Sequence, residues 1–450
     1  MPQEPGHGVP FRDALRLWIQ VGLNSFGGPA GQIAVMHRLV VDERRWVSET
    51  RFLHALNYCM LLPGPEAQQL ATYLGWLLHG YRGGLVAGIL FVLPGFVAIL
   101  ALTLLYVGLR DVRAVEALLF GLKAGVLAVV LEAVLRIGRR VAGGPATFAL
   151  AAAAFVALFF LHVPFPLVVL SAGVFGLLLP HALPARAAAR ESGPQPIVDT
   201  LLEQRPSHLE PSVAGAARVA LLCLALWLVP LAALRLVLGP DDIFTQIGTF
   251  FSKAAVVTFG GAYAVLSYIA QRASDTYGWL TPAEMLDGLG MAETTPGPLI
   301  QVVQFVGFLA AYRNPGTLSP VTAGVLASIL TTWVTYVPCF LFVFVGAPWI
   351  EAVRENARLA SALSAITAAV VGVILNLAVW FGLHVLFGEL SALDGPFGAE
   401  LTVPDWATFQ WFPAALAVAA FVALVRFHTG MIPTLAATAT LGALWRLLGA

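Results

Sequence analysis

Charge is scarce in this sequence. Only 11% of its 450 residues are Asp, Glu, Lys or Arg, against about 25% in a soluble domain. The 25 acidic and 25 basic side chains cancel, which removes the electrostatic case for a nucleic-acid partner. Cysteine is scarce too. Cys59, Cys223 and Cys339 sit in apolar stretches and form no CxxC, so they read as packed thiols, not as disulfides or metal ligands. The nine histidines make no HExxH or other dense ligand pattern. No Walker A sequence and no Gly-x-Ser-x-Gly elbow occurs, so neither ATP drive nor that hydrolase chemistry is expected. No haem, flavin or cluster motif is visible, and no cofactor is expected. Met1 to Pro10 is polar and rich in Gly and Pro, unlike a signal peptide.

What replaces the charge is hydrophobic: 59% of the residues, with a mean hydropathy of +0.83. A soluble core could not hide this much apolar surface, but lipid can. Gly83 to Gly108, Ala214 to Leu238 and Ala362 to Phe387 each exceed the roughly 20 apolar residues that span a bilayer. They lack the alternation of barrel strands. The expectation is an all-α polytopic membrane protein with about ten to thirteen crossings.

A polar stretch from about Pro184 to Ser212 divides the chain, and its two sides match in register. Phe26-Gly27-Gly28, Asp42, Trp46 and Pro63-Gly64-Pro65 are followed, each 233 positions later, by Phe259-Gly260-Gly261, Asp275, Trp279 and Pro296-Gly297-Pro298. The expected organisation is a first transporter repeat over 1–183, a cytoplasmic linker over 184–213, an extra crossing over 214–240 and a second repeat over 241–450. Helices are predicted at about 83–108, 112–137, 145–161, 164–181, 214–238, 318–346, 358–387, 408–427 and 430–446.

The charges predict orientation. Arg136, Arg139 and Arg140 follow one first-half helix. The matching turn at 388–407 has no Lys or Arg, but carries Glu389, Asp394, Glu400 and Asp405. Arg38, Arg44, Arg45 and Arg51 stand against Arg272 in the earlier turns. By the positive-inside rule the halves are inserted upside down relative to each other, an inverted repeat with the N-terminus and linker in the cytoplasm. Arg110 and Arg113 vote the other way. The turn Asp42-Glu43-Arg44-Arg45-Trp46 reads mainly as a membrane-surface anchor.

Pro-Gly-Pro breaks a helix, and in a membrane a break is tolerated only where protein or a water-filled cavity satisfies the freed backbone. Two breaks at matching places predict a central site toward which helix N-termini aim their N–H groups, an arrangement that suits anions. Candidate ligands are Asn24, Ser25, Gly27, Gly28 and Gln32 at the first FGG, and Pro63, Gly64, Pro65, Gln68 and Gln69 at the first PGP. In the second half they are Lys253, Thr258, Gly260 and Gly261 at the FGG, and Thr294, Thr295, Gly297, Gln301 and Gln304 around the PGP. Amides, hydroxyls and N–H groups match a tetrahedral oxyanion, which offers acceptors in every direction, and an ammonium at Lys253 would balance part of a dianion. The competing readings are a close-packing or hinge role for the glycines and snorkelling for Lys253. Glu66 and Glu293, beside the two breaks, are candidates for proton coupling; helix capping or an arginine partner is the alternative.

The segments FGGPAGQIAVMHRLVVDERRW, LLPGPEAQQLATYLGW and GLVAGILFVLPGFV, with TFGGAYAVLSYIAQ and ETTPGPLIQVVQFVGF in the second half, resemble the chromate ion transporter family of the long two-domain type. The resemblance implies two antiparallel homologous domains in a cell's inner membrane. It also implies a secondary exporter that moves chromate out of the cytoplasm and confers resistance. Where the family often has a His after FGGP-A, Gly31-Gln32 stands here. Chromate and sulfate share shape and charge, so a transporter of sulfate or another oxyanion is a live alternative. So is an anion channel, whereas a membrane enzyme would need a catalytic constellation that is not found. The expected partners are the oxyanion and the lipid bilayer, with a homodimer left open.

Overall fold

The computed structural model describes residues 9–26, 28–109, 112–141, 144–179, 212–259, 262–349, 357–394 and 400–448. Residues 184–211 of the linker, with Gly27, Gly260 and Gly261, lie outside the described residues. The first half contains α1 (Phe11–Asn24), α2 (Gly28–His37), α3 (Glu49–Leu61), α4 (Glu66–Leu109), α5 (Arg113–Val141), α6 (Pro145–Phe159) and α7 (Phe165–Leu178). There follow α8 (Val213–Val237), α9 (Ile243–Val257), α10 (Ala262–Gln271), α11 (Pro282–Thr294), α12 (Val302–Arg313), α13 (Pro320–Gly346), α14 (Ala357–Leu386), α15 (Trp411–Arg426) and α16 (Met431–Leu448). Six helices are long and apolar enough to cross a membrane, and five shorter apolar helices accompany them. The chain is an all-α polytopic membrane protein. Its described exception is a hairpin of β1 (Leu390–Asp394) on β2 (Glu400–Pro404), inside the segment expected to be a plain turn.

Local chemistry explains the helix limits. Ser48, Asp242 and Ser319 cap α3, α9 and α13 by accepting from Arg51 N, Phe244 N and Thr322 N. Leu17, Trp18 and Val21 bury one face of α1, as an i, i+3, i+4 pattern requires. In α8 only Cys223 and Trp227 are buried, while Leu221, Leu222, Val229 and Leu236 are exposed. That surface suits lipid, not water. All three cysteines are buried free thiols. α4 is two helices meeting at His79 and Gly80, whose φ of 58° a glycine adopts without penalty.

The chain forms two compact units. One comprises Met1–Leu100, Arg186–Ala262 and Thr295–Asn356; the other comprises Ala101–Ala185, Tyr263–Thr294 and Ala357–Ala450. Each unit therefore draws on both sequence halves. In the first, a core around Trp18, Phe52, Trp76 and Phe91 extends to Val343 and Phe344 of α13, and α13 packs on α8, α9 and α12. In the second, α14 packs on α5, α6 and α7, and α5 packs on α15 and α16. There a Cβ on Gly442 would lie 2.2 Å from Gly121 Cα, so α16 and α5 touch backbone to backbone.

The register of the repeat is written in the backbone. A π-helical turn at Arg38–Glu43 follows α2, and another at Arg272–Thr276 follows α10. Trp46 N donates to Val40 O at 2.9 Å and Trp279 N to Ala273 O at 2.8 Å. Arg44 N to Leu39 O and Tyr277 N to Arg272 O repeat the match.

Candidate functional site

The first unit gathers both PGP breaks and the described ends of both FGG segments. Gly64 N donates to Thr258 O at 2.7 Å, and Gly297 N donates to Ser25 O at 2.8 Å. These bonds are images of each other: the break of each half is tied to the FGG entry of the other. The side chains follow the same rule, since Ser25 Oγ bonds Val21 O and Thr258 Oγ1 bonds Ala254 O, both at 2.6 Å. Gly64 and Gly297 have φ of 126° and 102°, which glycine alone adopts readily.

A second reciprocal contact supports each glycine. A Cβ on Gly64 would meet Cys339 Sγ at 2.8 Å, and one on Gly297 would meet Gly95 Cα at 3.0 Å. Gly95 follows Pro94 inside α4, and Cys339 follows Pro338 inside α13. Each break is thus packed by a proline-plus-small-residue step on the long helix of the other half.

Buried amides satisfy the freed carbonyls. Gln32 Nε2 donates to Gly297 O at 2.6 Å, Gln69 Nε2 to Pro63 O at 2.8 Å and Gln304 Nε2 to Phe96 O at 3.1 Å. Gln68 donates to Thr72, and Gln301 donates to Gln304 Oε1 and Thr332 Oγ1. Several residues read as ligands therefore also brace the breaks. The side-chain carbonyl oxygens of Gln68, Gln69 and Gln301 are buried and accept no hydrogen bond, a condition that costs about 1–3 kcal/mol each. Beyond Pro65 and Pro298, the first N–H groups of α4 and of the 3₁₀ turn Leu299–Gln301 leading into α12 have no partner within their own helix.

The remaining candidates sit differently. Pro63 is half-buried, and Pro65, Gly28 and Thr295 are buried. Asn24 is exposed and bonds Gln20 O. Lys253 stands on the exposed face of α9, five residues before Thr258. Glu66 opens α4 and is half-buried. Glu293 and Thr294 belong to the second unit. Thr294 bonds Gly290 O and Met291 O at 3.0 Å. Glu293 Oε1 accepts from Tyr263 OH at 2.5 Å while Oε2 accepts nothing. In the charged turn, His37 bonds Glu49 and lies 3.3 Å from Asp42. A groove of about 570 Å³ on the second unit, lined by Phe412, Leu416, Leu441, Leu444, Trp445 and Leu448, is too apolar to hold an oxyanion.

The sequence reading missed Tyr263 and a buried group of Asp287, Lys123 and Tyr106 in the second unit. Lys123 is legible in the sequence as a charge within an apolar helical stretch, the same signal that Lys253 gives.

Paired broken helices stitched across a duplicated chain, with buried amides at the breaks, define a polytopic membrane protein of the transporter class. The match to known proteins is specific. The model of the chromate transporter family matches residues 13–177 and 245–443. A chromate transport protein of Pseudomonas aeruginosa is 32% identical over 360 residues, 79% of this chain and 77% of its own. One from Cupriavidus metallidurans is 25% identical over 423 residues, 93% of each chain. A probable chromate transport protein of Synechococcus elongatus is 25% identical over 411 residues, 91% of this chain and 93% of its own. The chain belongs to the chromate transporter family. No solved structure matches it.

Proposed function

We propose that this chain is a secondary transporter that exports chromate from the cytoplasm by alternating access, and so confers chromate resistance. The halves are inverted across the inner membrane, with the N-terminus and linker in the cytoplasm. The observation that carries the reading is the reciprocal pair Gly64 N to Thr258 O and Gly297 N to Ser25 O. Discontinuous helices joined at a repeat interface are where secondary transporters hold their substrates.

The oxyanion is held by backbone N–H groups at the start of α4 and of the Leu299–Arg313 helix, with Gln68, Gln301 and Thr295 beside them. A half-turn of either glutamine amide exchanges its unpartnered oxygen for N–H donors. Ser25, Thr258, Gln32, Gln69 and Gln304 hold the breaks in shape. Lys253, being exposed, draws the anion in and is not a direct ligand. Glu293 exchanges the coupling proton, with Glu66 as the other candidate.

The test is chromate uptake into everted membrane vesicles, with and without an imposed proton gradient and with excess sulfate. Saturable, gradient-dependent uptake is expected. Uptake of sulfate without chromate would keep the architecture and discard the substrate; unsaturable flux would mark a channel.

A further inference from the structure

The second unit buries a carboxylate that the reading above does not use. Asp287 lies on α11 and is 2% exposed. Its Oδ2 accepts from Tyr106 OH, at the end of α4, at 3.2 Å. Its Oδ1 accepts no hydrogen bond and faces Lys123 Nζ, on α5, at 3.5 Å. That separation exceeds the about 2.7–2.9 Å of a tight charge-assisted bond. A buried ion pair is a poor device for stability, because desolvation offsets the attraction.

Glu284 and Glu293 share the helix with Asp287, and the three carboxylates are not equivalent. Glu284 Oε2 accepts from Thr281 N while Glu284 N donates to Thr281 Oγ1. That is a capping box, and it explains Glu284 structurally. Asp287 and Glu293 form no cap. Each has one oxygen on a tyrosine hydroxyl and one that accepts no hydrogen bond. Near Glu293, Arg136 is engaged with Glu132 at 3.6 Å. Asp287 has Lys123.

We propose that Asp287 is a proton-exchange site of the transport cycle, ionised against Lys123 in one state and protonated on Oδ1 in another, with Lys123 then released as a partly buried cation. The proposal rests on the reading of the chain as a proton-linked transporter. The groups acting on Asp287 are Lys123 from α5, Tyr106 from α4 and Glu284 from its own helix. Of the other helices packed on α11, α14 carries Arg358 and His384 and α16 carries Arg446, which pairs with Glu116 at 3.5 Å. α11 leads in sequence straight into Thr295-Pro296-Gly297-Pro298. The chain thus runs without a linker from the helix of Asp287 to the second break.

The experiment takes the full chain, purified and reconstituted, as wild type, D287N, D287E and K123Q. Infrared difference spectra between neutral and acidified samples read the protonated carboxyl directly, whatever the substrate. The wild type should show a carboxylic-acid band that D287N lacks and D287E restores at a shifted frequency. K123Q should show it already at neutral pH. With chromate as probe, D287N should lose stimulation by a proton gradient and keep exchange of internal for external chromate. A band unchanged in D287N, or unmoved in K123Q, would overturn the proposal; so would a D287N variant that keeps gradient stimulation, or one that loses exchange and gradient flux together. If D287N does not fold, the K123Q band decides. A wild type that shows the band but carries no chromate would overturn the substrate reading and leave the proton site standing.

Discussion

The segment from Phe26 to Pro65 and the segment from Phe259 to Pro298 share a backbone and differ in chemistry. Both pass from an FGG entry through a π-helical turn and a Trp N–H bond to a PGP break. Their third helices diverge. α11 buries Glu284, Asp287 and Glu293, where α3 has Arg51, His54 and the exposed Met60. The duplicated part is what a broken helix needs in order to exist: glycine at positive φ, a carbonyl to receive its N–H, and a small residue to pack it. The unduplicated part is ionisable. Each copy needs the first for its own break to form, whereas the proposed proton coupling asks for only one copy of the second.

The sharpest way to break this comparison is to remove the cation that the second copy's Asp287 faces. K123M leaves Asp287 buried without its cation, which costs about 3–5 kcal/mol. Replacing both partners, K123M with D287N, should return most of that loss. H54A, at the position matching Asp287, removes a half-buried side chain and leaves no buried charge unpaired, so it should lower thermal stability in detergent by less than K123M does. Equal costs for K123M and H54A would mean that α3 and α11 carry comparable buried chemistry.

Next come the two glycines. Alanine at Gly64 or Gly297 meets a strained φ worth about 1–3 kcal/mol. At Gly297 the added Cβ also presses on Gly95 backbone, while at Gly64 it meets the ends of Cys339 and Gln69 side chains. G297A should therefore lose about 1–3 kcal/mol more than G64A, measured as unfolding midpoint, because backbone cannot swing aside.

These contrasts show what was legible in the sequence and what was not. Glycine, proline and apolar length are local signals, so the breaks, their shared register and helix limits such as Val213–Val237 could be read from the chain. Which break pairs with which entry is not a local property: Gly64 meets Thr258, and Gln32 meets Gly297. Nor is a side chain's face decided by its neighbours in sequence. Lys253 sits among apolar residues and is exposed, whereas Asp287 is buried against Tyr106, 181 residues away. In the sequence, Gln32, Gln69 and Gln304 read as ligands of an oxyanion. Their donors go to backbone carbonyls, because a broken helix frees carbonyls that need partners.

Gln32 tests the asymmetry at a smaller scale. It donates to Gly297 O, and the matching residue in the second half is Val265. Q32L should cost about 1–3 kcal/mol by stranding a buried carbonyl, whereas V265L strands no polar group and costs only the overpacking of one added methylene at a buried site. If Q32L leaves stability unchanged but weakens chromate exchange, Gln32 serves the anion and not the break.

The smallest effect belongs to the turns. Arg44 lies over the Trp46 ring at 5.4 Å, and at the matching positions Tyr277 stacks on Trp279 at 4.4 Å. One backbone thus holds a cation on an indole in the first copy and a ring on an indole in the second. Either pair, an exposed side chain on a buried indole, contributes about 0.5–1 kcal/mol, so R44Y, which writes the second copy's pair into the first, should leave stability nearly unchanged. Its value is in topology, because Arg44 belongs to the charge bias from which the inverted orientation was inferred. With the three native cysteines buried, single cysteines at 44 and 277 can be labelled in right-side-out and everted vesicles. In an inverted repeat they react from opposite faces of the membrane. Labelling of both from one face would leave the duplicated backbone intact and remove the inversion. Alternating access would then have to operate through two copies that point the same way.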